Sequence, residues 1–216
     1  MRLIVFLLRP IYYLPYHQFA WTYDLVATVV SLGRWQDWVR TALPFLNGRV
    51  LEIGFGPGHL QISLNERKIP AFGLDESRQM AHQASRRLRK QGILSCLSRG
   101  YAQNIPFAEG VFDSVVATFP AEYIFDPQTL KEIRRVLVPA GKLVILPMAW
   151  ITGRRRLERL AAWLLRVSGE APGKPGPVSA ATMGRFARLG FEVRSEIVEL
   201  KGSQVLVLVA EKKKGS

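Results

Sequence analysis

The hydrophobic pattern of this chain alternates between short apolar runs and longer segments with helical spacing. The apolar runs predict buried strands at residues 50–53, 71–74, 93–97, 111–119 and 142–151. Apolar positions at helical spacing predict helices at residues 35–46, 77–91, 128–138 and 179–189. Two alternating runs at residues 191–200 and 204–211 predict an antiparallel hairpin. Strands that alternate with helices favour one α/β domain whose sheet is mostly parallel.

A glycine-rich turn follows the strand predicted at residues 50–53. Gly54, Gly56 and Gly58 separate that strand from a segment with helical spacing, so the stretch 50–64 predicts strand, tight turn and helix. Glycines allow positive φ at such a turn and let a ligand approach the backbone closely. The first N–H groups of the helix then face whatever lies in the turn.

A carboxylate ends the next predicted strand, in a position suited to a nucleoside. Asp75 lies about 20 residues beyond the glycines, where an acid can accept hydrogen bonds from both hydroxyls of a ribose. The turn itself lacks the third glycine of the dinucleotide fingerprint, because His59 stands three residues after Gly56. Strand, glycines, helix, strand and acid together predict a nucleoside cofactor, and the alternative is a bare βα turn.

At these residues the chain resembles the class I S-adenosylmethionine-dependent methyltransferases. The stretch LEIGFGPG resembles their first motif, Asp75 their ribose-binding acid and Ile105-Pro106-Phe107 a turn of the same family. The resemblance covers most of residues 45 to 212 and implies a Rossmann-like, seven-stranded, mostly parallel sheet with a terminal antiparallel hairpin and an N-terminal helical lid. It also implies S-adenosylmethionine as cofactor, with S-adenosylhomocysteine as product. The cofactor-binding residues that it implies are Tyr23, Glu52, Gly54, Phe55, Gly56, Gly58, Asp75, Glu76, Tyr101, Ala102, Gln103 and Phe119.

The adenine side of this site departs from the family pattern. Tyr101 stands where the family commonly has an acidic residue that accepts a hydrogen bond from the adenine amino group. Either Tyr101 stacks on the adenine, or Gln103 accepts that hydrogen bond instead. Stacking of a base on an aromatic ring is worth about 1–3 kcal/mol in nucleic-acid complexes.

Residues 1–47 are expected to form a helical extension or lid, residues 48–212 the methyltransferase domain and residues 213–216 a basic tail. The extension resembles a signature of the ubiquinone/menaquinone-biosynthesis C-methyltransferases, which Tyr23, Asp24, Ser31 and Trp38 match in spacing. It departs from that signature at Val26, Ala27 and Trp35. In such enzymes the tyrosine of the signature covers the cofactor, so Tyr23 is the candidate here, and the alternative is a core aromatic residue.

The sequence identifies no obligatory general base. Glu122, Tyr23 and His17 are the candidate catalytic residues, and Glu122 and Tyr123 are the best acceptor-side polar residues because they follow the strand at 111–119. In an open parallel sheet, ligands bind at the carboxyl ends of the strands. The alternative is that both residues only begin the next helix.

Charge and composition limit the classes of partner and site that this chain is expected to have. The chain has 216 residues, a net charge of +13 and a single cysteine, Cys96, which excludes an internal disulfide and fits the cytoplasm. Three scattered histidines favour no metal site. The positive charge favours an anionic partner such as a membrane, an acidic substrate or nucleic acid.

Two segments favour the membrane surface. The apolar run at residues 3–8, between Arg2 and Arg9, is too short for a signal peptide or a membrane span and suits an interfacial helix. Residues 153–169 predict a basic amphipathic helix. The alternatives are packing against the domain, or a contact with a second subunit for residues 1–16.

The expected function is methyl transfer to a small or lipid-like acceptor, such as a quinone precursor or a phospholipid headgroup, at the inner face of the membrane. Two other functions remain open. One is an RNA methyltransferase, although no RNA-binding module accompanies the fold. The other is a catalytically silent interaction module that keeps the fold.

Overall fold

A seven-stranded sheet forms the centre of the molecule in the computed structural model, which describes residues 33–153 and 180–213. The strands are β1 (Val50–Ile53), β2 (Ala71–Asp75), β3 (Cys96–Arg99), β4 (Phe112–Thr118), β5 (Leu137–Ile151), β6 (Phe191–Leu200) and β7 (Ser203–Lys212). The helices are α1 (Trp35–Arg40), α2 (His59–Glu66), α3 (Arg78–Lys90), α4 (Pro127–Val136) and α5 (Ala180–Arg188), with 3-10 turns at Leu43–Phe45 and Glu122–Phe125.

The strand order explains where a ligand can enter. The order is β3-β2-β1-β4-β5-β7-β6, with β1 to β5 parallel and β7 antiparallel to both of its neighbours. The predicted fold class is therefore confirmed: a mostly parallel, Rossmann-like sheet with a terminal hairpin. The order reverses direction between β1 and β4, so a crevice forms outside the carboxyl ends of these two strands.

Alternate residues of the central strands enter one of two hydrophobic cores, one on each face of the sheet. In β4, Val115 belongs to the core that α4 and α5 cover, whereas Val116 belongs to the core that α1 and α2 cover. Successive side chains of a strand point to opposite faces, which is why the buried strands read as continuous apolar runs.

Several predicted boundaries were wrong: the helix predicted at residues 35–46 ends at Arg40, and the strand predicted at 142–151 begins at Leu137. Two further differences have identifiable physical reasons. Residues 93–95 are not strand, because Gly92 adopts φ 69° and the amide of Ile93 donates to the carbonyl of Leu88, which closes the end of α3. Helix α4 ends at Val136 rather than two residues later, since Pro139 biases the preceding residues towards extended backbone.

Several predictions fall outside the described residues. These are the roles of Tyr23 and His17, the interfacial segment before residue 33 and the basic helix expected at 153–169, of which only residue 153 is described. Among the described helices, none is long and apolar enough to cross a membrane. The proposed division of the chain at residues 47 and 212 stays a prediction.

Candidate active site

The glycine turn lies at the carboxyl end of β1, where the amide of Gly54 donates to the carbonyl of Leu74 at 2.7 Å. Gly54 and Gly56 have φ values of 71° and 50°, which strain any residue with a Cβ. A Cβ built on Gly56 meets no atom within 4 Å, so this part of the backbone faces open space. The turn therefore leaves room for a ligand beside the backbone of Gly56.

Asp75, at the end of β2, connects the turn to the next helix. Its Oδ2 accepts a hydrogen bond from the amide of Gly56 at 2.8 Å, and its Oδ1 accepts one from the amide of Ser77 at 2.8 Å. Burial raises the pKa of Asp75, and the two amide donors oppose that shift. Each carboxylate oxygen retains a second lone pair for a further donor. The acid predicted to hold a ribose is thus fixed beside the glycine turn.

Glu52 lies inside the domain, where its side chain is 1% exposed. Gln61 of α2 donates from Nε2 to Glu52 Oε2 at 2.8 Å and also approaches the carbonyl of Phe72 at 3.4 Å. Burial raises the pKa of Glu52 to about 8, the hydrogen bond from Gln61 lowers it, and the nearby charge of Asp75 raises it. Glu52 is therefore protonated at neutral pH. Its hydrogen bond with Gln61 joins β1 to α2, the two elements on either side of the turn. Direct contact of Glu52 with a cofactor stays a prediction.

Tyr123 is the acceptor-side residue that reaches the turn. A Cβ built on Gly54 would collide with the Tyr123 hydroxyl, so that hydroxyl lies directly over the first glycine. Glu122 is exposed and begins the 3-10 turn that also contains Tyr123. The structure therefore places the phenol of Tyr123, rather than the Glu122 carboxylate, in contact with the turn.

Three aromatic rings gather beyond the carboxyl end of β4 and form what we call the aromatic wall (Trp35, Trp38 and Phe119). The Phe119 ring centroid lies 4.7 Å from that of Trp35 and 6.1 Å from that of Trp38. Trp38 is fixed by a hydrogen bond from its Nε1 to Ser203 Oγ at 2.9 Å. Phe119 has φ 49°, a strained value for a bulky residue, and such strain concentrates at functional sites.

The loop 101–107, here called the adenine-side loop, starts beside Asp75. The amide of Gly100 donates to the Asp75 carbonyl at 3.1 Å, which brings the loop next to the ribose-binding position. Tyr101 is 65% exposed. Ala102 is buried and Gln103 is half-buried. The two alternatives for adenine recognition, stacking on Tyr101 and a hydrogen bond to Gln103, therefore both involve this loop.

Two further predicted residues contribute differently. The Phe55 side chain is buried, and a Cβ on Gly73 of β2 would overlap with its ring, so Phe55 can meet a ligand only through its backbone. Glu76 is exposed, and its carbonyl accepts a hydrogen bond from Arg99 at 3.4 Å. Sequence reasoning missed Gln61, whose signal was a polar residue between the buried positions of α2.

The geometry can be compared with known proteins. Residues 51–145 match the family described as methyltransferase domain. This stretch of the chain is similar to methyltransferase domains. The predicted resemblance to the class I S-adenosylmethionine-dependent methyltransferases is therefore confirmed.

Curated proteins that are similar to this chain include enzymes named for quinone biosynthesis. The chain is 31% identical over 134 residues to the ubiquinone/menaquinone biosynthesis C-methyltransferase of Geotalea daltonii, a match that covers 57% of each chain. It is 34% identical over 131 residues to the demethylmenaquinone methyltransferase of Deinococcus radiodurans, over 57% of this chain and 54% of the relative. The chain thus spans little more than half the length of these relatives.

A solved structure shares the fold. The phosphoethanolamine N-methyltransferase 2 of Haemonchus contortus, in complex with phosphomonomethylethanolamine and S-adenosylhomocysteine, superposes with a TM-score of 0.66. The match covers 93% of this chain and 60% of that chain at 15% identity. At that identity it shows the fold alone.

The residues of this site fit S-adenosylmethionine, the cofactor that the matching family implies. Gly56 leaves the space that a Cβ would fill, Asp75 offers carboxylate oxygens at the end of β2, and the turn joins the N-terminus of α2. A ribose, an amino-acid tail and an adenine ring need donors and acceptors of these kinds.

Proposed function

We propose that this protein transfers a methyl group from S-adenosylmethionine to a small apolar acceptor of the quinone-precursor type. The observation that carries the proposal is the position of Asp75 at the end of β2, next to β1, where its two oxygens accept hydrogen bonds from the amides of Gly56 and Ser77. When bound, the cofactor supplies an electrophilic methyl group on a sulfonium sulfur. The chain's own residues hold the two reactants in line and exclude water.

The aromatic wall supports a planar, apolar acceptor. Trp35 and Phe119 are partly buried rings in contact with each other just beyond the carboxyl end of β4, and ring faces prefer offset contact with another ring. In C-methylation of a quinol, these rings would hold the planar acceptor in place, and the methylated ring carbon would release its proton to solvent or a base. The curated relatives named above carry quinone-pathway names, which agrees with this acceptor class.

Tyr123 is the proposed contact between the two halves of the site. Its hydroxyl lies over Gly54, on the side of the turn that faces the end of β4. A phenol there can donate a hydrogen bond to an acceptor oxygen or to the cofactor's amino-acid tail. The candidate roles of Tyr23 as a cover for the cofactor and of His17 as a catalytic group remain part of the proposal.

We also propose that the protein works in the cytoplasm at an anionic membrane surface. No acidic residue occurs between positions 78 and 95. Helix α3 carries five basic residues: Arg78, Arg86, Arg87, Arg89 and Lys90. Leu94, just beyond this helix, is 98% exposed. An apolar tip beside a basic face suits the interface of an anionic bilayer.

Calorimetry with S-adenosylhomocysteine tests the cofactor. The unmutated protein should bind it, and Asp75→Asn should weaken binding about tenfold or more, because an amide offers one acceptor oxygen where the carboxylate offers two. Glu76→Gln, a neighbouring exposed carboxylate, is the matched control. If the unmutated protein does not bind S-adenosylhomocysteine, the proposed methyltransferase activity is refuted.

Labelled cofactor tests the acceptor. Label should enter a reduced naphthoquinone that lacks one ring methyl group, and phospholipid headgroup acceptors and RNA form the competing arms.

Flotation with anionic and neutral vesicles tests binding to the membrane surface. The triple variant Arg86→Gln/Arg89→Gln/Lys90→Gln is expected to reduce the recovery of protein with anionic vesicles. Equal recovery with neutral vesicles would contradict electrostatic binding to the membrane. Label in RNA would contradict the proposed quinone-type acceptor.

A further inference from the structure

One face of α4 is polar although the helix packs on the core. Its apolar residues Leu130, Ile133 and Val136 are buried against the sheet. Gln128, Glu132 and Arg135 share another face because they are spaced four and three residues apart. This polar face lies along the adenine-side loop.

Arg135 uses its guanidinium group on both the helix and the loop. Nη1 donates to the carbonyl of Phe107 at 2.8 Å, and Nη2 donates to the carbonyl of Ile105 at 2.9 Å. Nε and Nη2 also donate to the two carboxylate oxygens of Glu132, each at 2.8 Å. A planar fork with five donors suits this arrangement, and a lysine cannot reproduce it.

Glu132 completes the grip on the loop. Its Oε2 accepts a hydrogen bond from the amide of Ile105 at 2.9 Å, so both backbone polar groups of Ile105 end on this pair. Gln128 adds a longer bond from Nε2 to the carbonyl of Gln103 at 3.4 Å. Three alternate residues of the loop are therefore held by the helix.

The pair is too exposed to be explained as a source of stability alone. The side chains of Arg135 and Glu132 are 33% and 14% exposed, and an i,i+3 ion pair in such surroundings contributes about 1 kcal/mol or less. The hydrogen bonds from Arg135 and from Ile105 lower the pKa of Glu132, with burial opposing them, so the carboxylate stays charged. What the pair controls most directly is the position of the loop.

We propose that Gln128, Glu132 and Arg135 form a clamp that positions the adenine-side loop, so that they are positioning residues for the cofactor. The proposal rests on the proposed function, because Tyr101 and Gln103 of the same loop are the adenine-recognition candidates. One end of the loop is tied to Asp75 through Gly100, and the clamp ties the other end. The distance between ribose and adenine recognition is thereby set by the protein before a ligand arrives.

The first measurement is independent of ligand. Hydrogen exchange of peptides that cover residues 101–107 should be about tenfold faster or more in Glu132→Gln and Arg135→Gln than in the unmutated protein. Lys131→Gln is the matched control, since Lys131 is an exposed cation on the same helix. Arg135→Lys should give an intermediate rate. Unchanged exchange in Arg135→Gln overturns the clamp.

The second measurement asks whether the clamp acts on adenine recognition. Calorimetry compares S-adenosylhomocysteine with S-inosylhomocysteine, in which an oxo group replaces the adenine amino group. Arg135→Gln should weaken the adenosyl ligand about tenfold and reduce the preference between the two ligands, while Lys131→Gln changes neither. Arg135→Lys keeps the charge and the fold and should show the same trend if Arg135→Gln does not fold.

The outcomes separate the two proposals. Faster loop exchange with unchanged ligand preference overturns the positioning role and leaves a purely structural pair. No binding of either ligand by the unmutated protein refutes the proposed function, and the cofactor role of the clamp with it, whereas the exchange experiment still decides whether the helix holds the loop.

Discussion

The hydroxyl of Tyr123 lies against Gly54, close enough that a methyl group on this glycine would overlap with it. The two residues are 69 positions apart, and β4 brings them together because it lies directly beside β1 in the sheet. A phenol from the acceptor side thus touches the turn on which the methyl donor is proposed to lie.

Removal of that hydroxyl should affect turnover more than cofactor affinity. Tyr123→Phe keeps the ring in the core and is expected to lower kcat about tenfold or more, with little change in S-adenosylhomocysteine affinity. Steady-state kinetics and calorimetry measure the two effects. Glu122→Gln is the comparison, and a larger loss of kcat in that variant would assign the role to Glu122 instead.

The turn should tolerate no Cβ at Gly54. Gly54→Ala combines a φ of 71° with the collision against Tyr123, so loss of cofactor binding and of about 1–3 kcal/mol of stability is expected. Gly92→Ala is the matched control, because Gly92 has φ 69° and open space around a built Cβ. It should lose stability but bind S-adenosylhomocysteine normally. Equal affinity in both variants would contradict the assigned turn.

Glu52 predicts a dependence of stability on pH. Its pKa is raised from 4.5 to about 8 in the folded protein, chiefly by burial. The favourable contribution of the protonated acid is complete below pH 4.5 and is lost as the pH rises through 8. Chemical unfolding from pH 5 to pH 9 should therefore show falling stability, and Glu52→Gln should flatten that profile. An equally steep profile in the variant would assign the effect to another group.

The aromatic wall should act on the acceptor alone. Phe119→Leu removes the ring next to Trp35 but keeps an apolar side chain, so the KM for the acceptor should rise about fivefold to tenfold. S-adenosylhomocysteine affinity should stay within about twofold of the original. A matching loss of cofactor affinity would show that Phe119 contacts the cofactor, as the family resemblance implies.

Local patterns were sufficient for the centre of this site. The glycines from 54 to 58 and the strand that ends at Asp75 are contiguous signals, and the structure places both at the predicted edge of the sheet. Burial of β1, β4 and β5 followed from their apolar runs, whereas β3 is partly exposed although a buried strand was predicted there. The N-cap of α3 is also a local feature, since Ser77 Oγ accepts a hydrogen bond from the amide of Met80 at 3.3 Å.

The remaining features depend on contacts between distant residues. The approach of Tyr123 to Gly54 needs the strand order, and the pairing of Trp35 with Phe119 needs the position of α1 on the sheet. The grip of Arg135 on Ile105 was hidden because an Arg and a Glu three residues apart on a helix are usually only a solvated pair. Sequence spacing predicts on which face of a helix or strand a residue lies. Which residue it contacts there depends on the tertiary arrangement.

The position of β7 between β5 and β6 has a consequence for synthesis on the ribosome. β6 lies at the edge of the sheet and pairs only with β7, although β6 is translated first. While the chain emerges, β5 exposes one edge and β6 has no strand to join until residues 203–212 have left the exit tunnel. Closure of the sheet is therefore postponed to β7, and until β7 is in place the edges of β5 and β6 are open to pairing with other chains.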